Sequence, residues 1–193
     1  MGLSAYDLNL RHLRATLEVS RAGGISHASE IVNLSQPAIT HAIKTLEDQL
    51  NIRLFDRGAR GMAATEAGAR FAFRIARALE MLNARSQRTS RATLPMATEN
   101  RVSAAQLRTL VAVADRGSYS AAARAIGAAQ PTVHRAARAL EARLGQALFQ
   151  STANRVTLTR IGERLARNAR LAFTEIDLAL LDIIETLSEG AGQ

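Results

Sequence analysis

The 193-residue chain contains neither cysteine nor tryptophan. Without cysteine there are no disulfides, thiolate metal sites or cysteine nucleophiles. Aromatic residues make up only 4% of the sequence, too few for a platform on which unpaired bases stack, so RNA binding is not expected. The longest apolar runs fall far short of the roughly 20 residues that a membrane-spanning helix needs. The N-terminus also lacks the basic stretch and apolar run of a secretory signal. A soluble, cytoplasmic protein is expected. The four histidines (His12, His27, His41 and His134) have no carboxylate or second histidine at metal-ligand spacing. Neither a Gly-x-Ser-x-Gly elbow nor a Gly-x-x-x-x-Gly-Lys phosphate loop occurs. The expectation is a protein that is not an enzyme and holds no metal or cofactor.

What the chain does have is positive charge. Against 17 Asp and Glu it carries 25 basic residues, a formal net charge of +8, and all of these except Lys44 are arginine. Such a surplus draws polyanions, and arginine's planar fork suits phosphate oxygens and guanine edges. The charge is unevenly spread: residues 97–170 hold twelve basic and four acidic side chains, residues 171–193 five acidic and no basic ones. A polyanion-binding surface should lie upstream of the acidic C-terminal segment.

The second positive feature is a duplication. Sliding the sequence by 94 positions aligns residues 13–80 with 107–174 without a gap. Identical pairs include Gly23/Gly117, Ser26/Ser120, Gln36/Gln130, Pro37/Pro131, Leu46/Leu140, Glu47/Glu141, Phe55/Phe149, Thr65/Thr159 and Gly68/Gly162. A period this long is a repeated domain, not a solenoid. Each copy opens with an apolar 3.6-residue pattern (Leu10, Leu13, Leu17; Leu107, Val111, Ala114) closed by glycine. Ser26 and Ser120 are predicted to cap a short second helix, and Asn33 and Gly127 to make the left-handed turn after it. The third helix begins at Ser35 or Ala129 with a proline in its first turn, where a missing N–H costs nothing. Ser35 can cap that helix and Ala129 cannot, so the second copy should have the frailer third helix by roughly 1 kcal/mol.

Along the third helix Ile39, Ile43, Leu46 and Leu50 form one apolar stripe, matched by Val133, Ala137, Leu140 and Leu144. The opposite face carries Gln36, Thr40, His41 and Lys44 in one copy, Gln130, His134, Arg135 and Arg138 in the other. Polar residues at a helix start with basic ones a turn or two on suit an element entering a major groove by its N-terminus, although an ordinary solvated face has the same composition. Short apolar pieces around the tips 57–61 and 151–155 suggest a two-stranded ribbon, after which Thr65 and Thr159 cap a further helix. Helix, helix, helix, ribbon, helix describes a winged helix-turn-helix. The fold class expected is mainly α, with two tandem winged domains each followed by a long linker helix.

The stretches "GGISHASEIVNLSQPAITHAIKTLEDQLNIRLFDRGARGMAATEAG" and "LRTLVAVADRGSYSAAARAIGAAQPTVHRAARALEARLGQALF" resemble the DNA-binding domain of LysR-type transcriptional regulators. The resemblance covers about residues 8–90 and 104–188 and implies sequence-specific binding of double-stranded DNA for transcriptional control. It implies that Ser26, Ser35, Gln36, Pro37, Ala38, Thr40, His41 and Lys44 form the DNA-facing set of copy 1, with Arg57 and Arg60 as wing contacts. In copy 2 the corresponding set is Ser120, Gln130, Pro131, Thr132, His134, Arg135 and Arg138. His134 replaces the family's small hydroxyl residue there, and Ser151 its wing arginine, with Arg155 as a substitute contact. Copy 1 departs at Gly24 and Ala64, where the family has serine and leucine. Either the copies read different half-sites or copy 2 binds more weakly. Relatives of this type continue into an effector domain, and "SEGAGQ" falls about where that domain would start. The chain therefore reads as a DNA-binding portion, with a small-molecule effector only if such a domain exists.

From Ala169 the spacing Phe173, Ile176, Leu180, Ile183, Leu187 makes a heptad seam. In the family resembled, this helix dimerises the DNA-binding domains, which implies a homodimer through these five residues. The alternative is that the helix over 68–88 pairs with the 162–187 helix of the same chain. The organisation expected is a first winged domain with linker helix at 1–85 and a polar linker at 86–103. A second winged domain at 104–165 and a dimerisation helix and tail at 166–193 complete it. An oligomerising adaptor or an architectural DNA binder with little base specificity is the competing functional reading.

Overall fold

A computed structural model describes residues 2–58, 61–84, 98–152 and 155–190, with the side chains of Arg57 and residues 187–190 left out. The described residues form two compact units. One holds the chain up to Glu80 together with the residues from Phe173 on; the other runs from Met81 to Ala172.

In the first unit, α1 (Leu10–Ala22) starts where the Asn9 side chain accepts from the Arg11 amide and stops at Gly23, whose φ of 69° needs a residue without Cβ. Helix α2 (Ile25–Val32) ends at Asn33 in the left-handed region. Helix α3 (Gln36–Leu50) opens on Ser35, whose hydroxyl accepts from the Ala38 amide at 3.3 Å, with Pro37 in the first turn. Leu13, Leu17, Ile39, Ile43, Leu46 and Leu50 are buried, so the expected stripes of α1 and α3 make the core of this three-helix cluster. Strands β1 (Phe55–Gly58) and β2 (Gly61–Ala64) pair antiparallel, Phe55 opposite Ala64 and Gly58 opposite Gly61. Helix α4 (Glu66–Asn83) follows. Thr65 locks this junction, since its hydroxyl accepts from the Gly68 amide and donates to the Arg53 carbonyl, both at 2.9 Å.

The second unit repeats the plan. Helix α5 (Thr98–Arg101) is a single turn; α6 (Ala104–Arg116) is capped by Ser103, with Gln106 reaching back to the Ser103 amide. After α7 (Tyr119–Ile126) and α8 (Gln130–Leu144) come β3 (Phe149–Ser151) and β4 (Val156–Leu158), then α9 (Arg160–Gly190). Val133, Ala137, Leu140 and Leu144 are buried as expected. Ala129 offers no side-chain cap.

Three expectations change. Ser26 and Ser120 cap nothing: α2 and α7 each begin one residue before them, at Ile25 and Tyr119. The extended residues that precede these helices are Gly24 and Ser118, and Ser118 does the capping, accepting from the Ala121 amide at 3.1 Å. Cap position follows the last extended residue, and the serine nearer the turn wins.

The segment 86–103 is not all linker. Thr98 and Glu99 are buried, where the Asn83 side chain accepts from the Thr98 amide at 2.8 Å and donates to Glu99 at 2.7 Å. Residues 86–97 lie outside the described set.

The largest change concerns the C-terminal seam, where the structure has the alternative, pairing with the earlier helix of the same chain, and not the seam left open for a second chain. Phe173, Ile176, Leu180 and Ile183 are buried inside the first unit. Their helix is tied to α4 of the same chain: Arg74 pairs with Asp182 at 3.0 Å and Glu175 at 3.4 Å, and Arg77 with Glu175 at 2.9 Å. Tyr6 lies against the Phe173 ring, centroids 4.2 Å apart, and the Ala5 amide donates to Asp177 at 3.0 Å. Hydrogen bonding to Asp182 raises the Arg74 guanidinium further above its already high value, so it stays charged. The apolar face expected to await a second chain is covered from within. Leu187's side chain is outside the described set.

Candidate nucleic-acid interface

A helix that buries one stripe must present the other. On α3 and its cap, Ser35, Gln36, Pro37, Ala38, His41 and Lys44 are exposed. Thr40 is half-buried, its hydroxyl donating to the Gln36 carbonyl at 3.0 Å. On α8, Gln130, Pro131, Thr132, His134, Arg135 and Arg138 are all exposed. In each unit the expected DNA-facing residues of the third helix therefore share one open flank, away from the buried stripe.

The other expected residues stand apart from that flank. Ser26 is exposed and Ser120 half-buried, both in the first turn of the preceding helix; Ser120's hydroxyl accepts from Arg124 at 3.1 Å. Arg57 lies on β1, but its side chain, like the whole of Arg60, falls outside the described residues. Arg155 is exposed just before β4, its guanidinium packed over Gly117, and the next amide, Val156, donates to the Gly117 carbonyl at 2.8 Å. The wing of copy 2 is thereby fastened to the end of its first helix.

The sequence reading missed the residues that hold the helix to the wing. Glu47 on α3 accepts from the Leu54 and Phe55 amides at 2.8 and 3.2 Å. Glu141 on α8 does the same for Leu148 and Phe149, at 2.8 and 3.1 Å. One carboxylate oxygen thus collects two amides at the entry to the ribbon in each copy, fixing helix against ribbon with charge-assisted bonds. The signal was present as the identical pair Glu47/Glu141, an acidic residue found at the same register of both third helices.

Gly68 and Gly162 have a comparable role. A Cβ on either would run into a backbone carbonyl oxygen, Leu54's in one copy and Leu148's in the other. The close crossing of the strand entry over the following helix demands glycine there.

Between α3 and its ribbon lies an open groove of about 800 Å³, lined among others by Thr40, Lys44, Asp48, Arg53, Asp56 and Met62. Its charge is mixed, two cations (Lys44 and Arg53) against three acids (Glu47, Asp48 and Asp56). Two side chains near these faces titrate away from their ordinary values. His12 on α1 is held below the usual histidine value, first by burial and then by His41, whose ring stands edge-on 6.3 Å away. Its Nδ1 is buried and has no hydrogen-bond partner. Tyr119 is pushed up, mainly by burial, and stands edge-on to His134 at 5.1 Å.

Among the described residues no helix is long and apolar enough to cross a membrane. No solved structure matches the chain. Over 176 residues it is 30% identical to the HTH-type transcriptional regulator GalR of Pseudomonas putida, covering 91% of this chain and 44% of that protein. It is 44% identical over 75 residues to the HTH-type transcriptional regulator AbaB of Streptomyces antibioticus, 39% of this chain and 25% of that one. With the uncharacterized HTH-type transcriptional regulator YfeR of Shigella flexneri it shares 35% identity over 100 residues, 52% of this chain and 32% of the relative. The chain covers less than half the length of each of these relatives. The model of the bacterial regulatory helix-turn-helix proteins of the lysR family matches twice, at residues 10–69 and 104–163, each match running from the first helix through the ribbon into the helix after it. With two such segments covering most of its length, the chain belongs to the lysR family of bacterial helix-turn-helix regulators.

Proposed function

We propose that the chain binds double-stranded DNA in a sequence-specific manner to control transcription, with α3 and α8 as its two recognition helices. The observation that carries this reading is the shared open flank: the Gln-Pro pair and the polar and basic residues after it are exposed in both copies, Thr40 only in part, while the other stripe is buried. A helix of this kind fits a major groove by its N-terminal turns, and the net charge of +8 favours the phosphates around it. Basic side chains that meet phosphates supply affinity without regard to sequence, and those side chains of the flank that reach base edges supply discrimination, about 1–3 kcal/mol for each well-made base contact. The related regulators named above are the second support. The site of action would be the cytoplasm.

A mobility-shift titration on promoter and random duplexes at several salt concentrations tests this. The double variant Lys44→Ala/Arg138→Ala should lose affinity for the cognate duplex and flatten the salt slope by about two. Unchanged binding and slope would refute the assignment. Equal affinity for promoter and random duplexes would instead favour the architectural binder or adaptor.

Pairing of two chains belongs to this reading only through a different face from the seam. Leu181 and Ile184, on the outer side of α9, are 53% and 59% exposed, and they would be the contact that joins chains into a homodimer of four winged domains. Light scattering on Leu181→Glu/Ile184→Glu should then report a monomer where the parent is a dimer. A parent that is already monomeric removes the homodimer.

A further inference from the structure

We infer that the two recognition helices read different bases, so that the duplex recognised by one chain contains two unlike half-sites. This rests on the DNA-binding reading above and concerns what that site selects.

Compare the exposed flanks register by register. One turn after Gln36, copy 1 places Thr40, whose hydroxyl proton is committed to the Gln36 carbonyl. What remains is an oxygen that can only accept and a methyl group, the latter a partner for the C5-methyl of thymine. The same register in copy 2 is His134, whose exposed imidazole offers a donor and an acceptor. That ring is held from the side: Tyr119 meets it edge-on at 5.1 Å and 83°, and Tyr119 itself lies against Phe149 at the base of the wing, 5.9 Å away. Copy 1 has Ile25 where Tyr119 stands and makes no such clamp.

At the next register His41 corresponds to Arg135. A guanidinium forks onto guanine O6 and N7 in a way that an imidazole cannot. His41 has its own neighbour, the edge-on ring of His12, and copy 2 has Gln106 in that place. One turn on, Lys44 is matched by Arg138, which Glu141 holds at 3.0 Å. These three registers differ in chemistry, as does Ala38 against Thr132, and so do the residues behind two of them.

The charge of the two helices separates as well. Helix α3 carries Lys44 against Glu47 and Asp48, a balance of 1 − 2 = −1; α8 carries Arg135, Arg138 and Arg143 against Glu141, 3 − 1 = +2. Two helices that served one palindrome would offer the same donors and acceptors. These do not. The copy 1 half-site should carry thymine at the Thr40 register, and the copy 2 half-site guanine at the Arg135 register. Tyr119 is a positioning residue that acts through His134.

The test is selection from a random duplex pool with the full chain, followed by the same selection with Ile25→Tyr/Ala38→Thr/Thr40→His/His41→Arg/Lys44→Arg, which gives copy 1 the flank and the aromatic clamp of copy 2. The parent should enrich two dissimilar motifs at fixed spacing. The variant should enrich the copy 2 motif twice, with the copy 1 motif disfavoured about tenfold or more. One motif repeated in the parent pool, or a single motif that the flank exchange leaves unaltered, overturns the inference while leaving DNA recognition in place. A pool with no enriched motif, retained by the protein all the same, overturns both readings together. Tyr119→Ile should erode discrimination at the base pair assigned to His134 without changing affinity for random duplex, and Tyr119→Phe should restore it. Discrimination that survives Tyr119→Ile removes Tyr119 from the assignment.

Discussion

Copy 1 opens its recognition helix with Ser35, whose hydroxyl takes the Ala38 amide, while copy 2 opens the same helix with Ala129 and leaves that amide without a side-chain partner. In the preceding turn the inequality reverses: Gly24 gives α2 no side-chain cap, and Ser118 caps α7. Each copy has lost one of two caps, and not the same one. What has stayed identical is different in kind. The Thr65–Gly68 and Thr159–Gly162 junctions and the Glu47 and Glu141 staples tie the helix, ribbon and following helix to one another. A lost cap costs about 1 kcal/mol, which a domain can absorb. A misplaced ribbon removes the geometry on which any wing depends. The two copies therefore diverge where the energetic cost is small or the side chains face solvent, and agree where backbone must meet backbone.

The strongest way to break this comparison is at the glycines. Gly68→Ala and Gly162→Ala each force a Cβ into a carbonyl oxygen, and each should destabilise its own winged domain by about 3 kcal/mol or more, near the upper end for overpacking. Urea denaturation followed by proteolysis would show which unit opens first. Stability unaltered in either variant would mean that the strand entry can retreat from the helix.

Next in size are the staples. Glu47→Ala or Glu141→Ala leaves two amides at the entry to the ribbon without their acceptor, at a cost of about 1–3 kcal/mol. Amide exchange should speed up at Leu54 and Phe55, or at Leu148 and Phe149, ahead of the rest of the unit. Exchange that rises evenly across the unit would deny the glutamates their local role.

The caps sharpen the comparison further. Ser35→Ala should cost about 1 kcal/mol, and Ala129→Ser should return part of that amount to copy 2. The two melting shifts should be opposite in sign.

The smallest effect is one of pH. His12 titrates below its ordinary value of 6.5 because burial and His41 oppose its charge. The unfolded chain therefore binds a proton more readily than the folded one, and the first unit loses stability as pH falls through 6.5 toward the folded value. His12→Gln, which installs the residue found at Gln106 in copy 2, should shrink the difference in urea midpoint between about pH 7.5 and about pH 5.5. A variant as sensitive as the parent would place the titration elsewhere.

Much of this was legible in the residues. Ile39, Ile43, Leu46 and Leu50 announce their helix by period, and Pro37 and Ser35 mark its first turn. Gly23 and Gly117 mark where the first helix must stop. Seeing each signal twice, at one spacing, turns a weak motif into a strong one. The serines were less legible, because Ser118 and Ser120 have equal chemistry and only backbone conformation decides which one caps. Thr98 and Glu99 read as linker, because a polar pair gives no sign that Asn83 will bury it.

The sequence by itself determined the two winged domains, their order and the flanks they expose, since these follow from periodicity and turn chemistry within a few dozen residues. It also determined the seam of α9, but not what covers it. A heptad stripe is equally complete against a second chain or against an earlier helix of its own. Only the tertiary structure decided this, by bringing Arg74 and Arg77 to Glu175 and Asp182 and closing Phe173, Ile176, Leu180 and Ile183 within one unit. Hydrophobic burial has no direction, so the pattern fixes that a face must be covered, and the chain's path through space fixes by what.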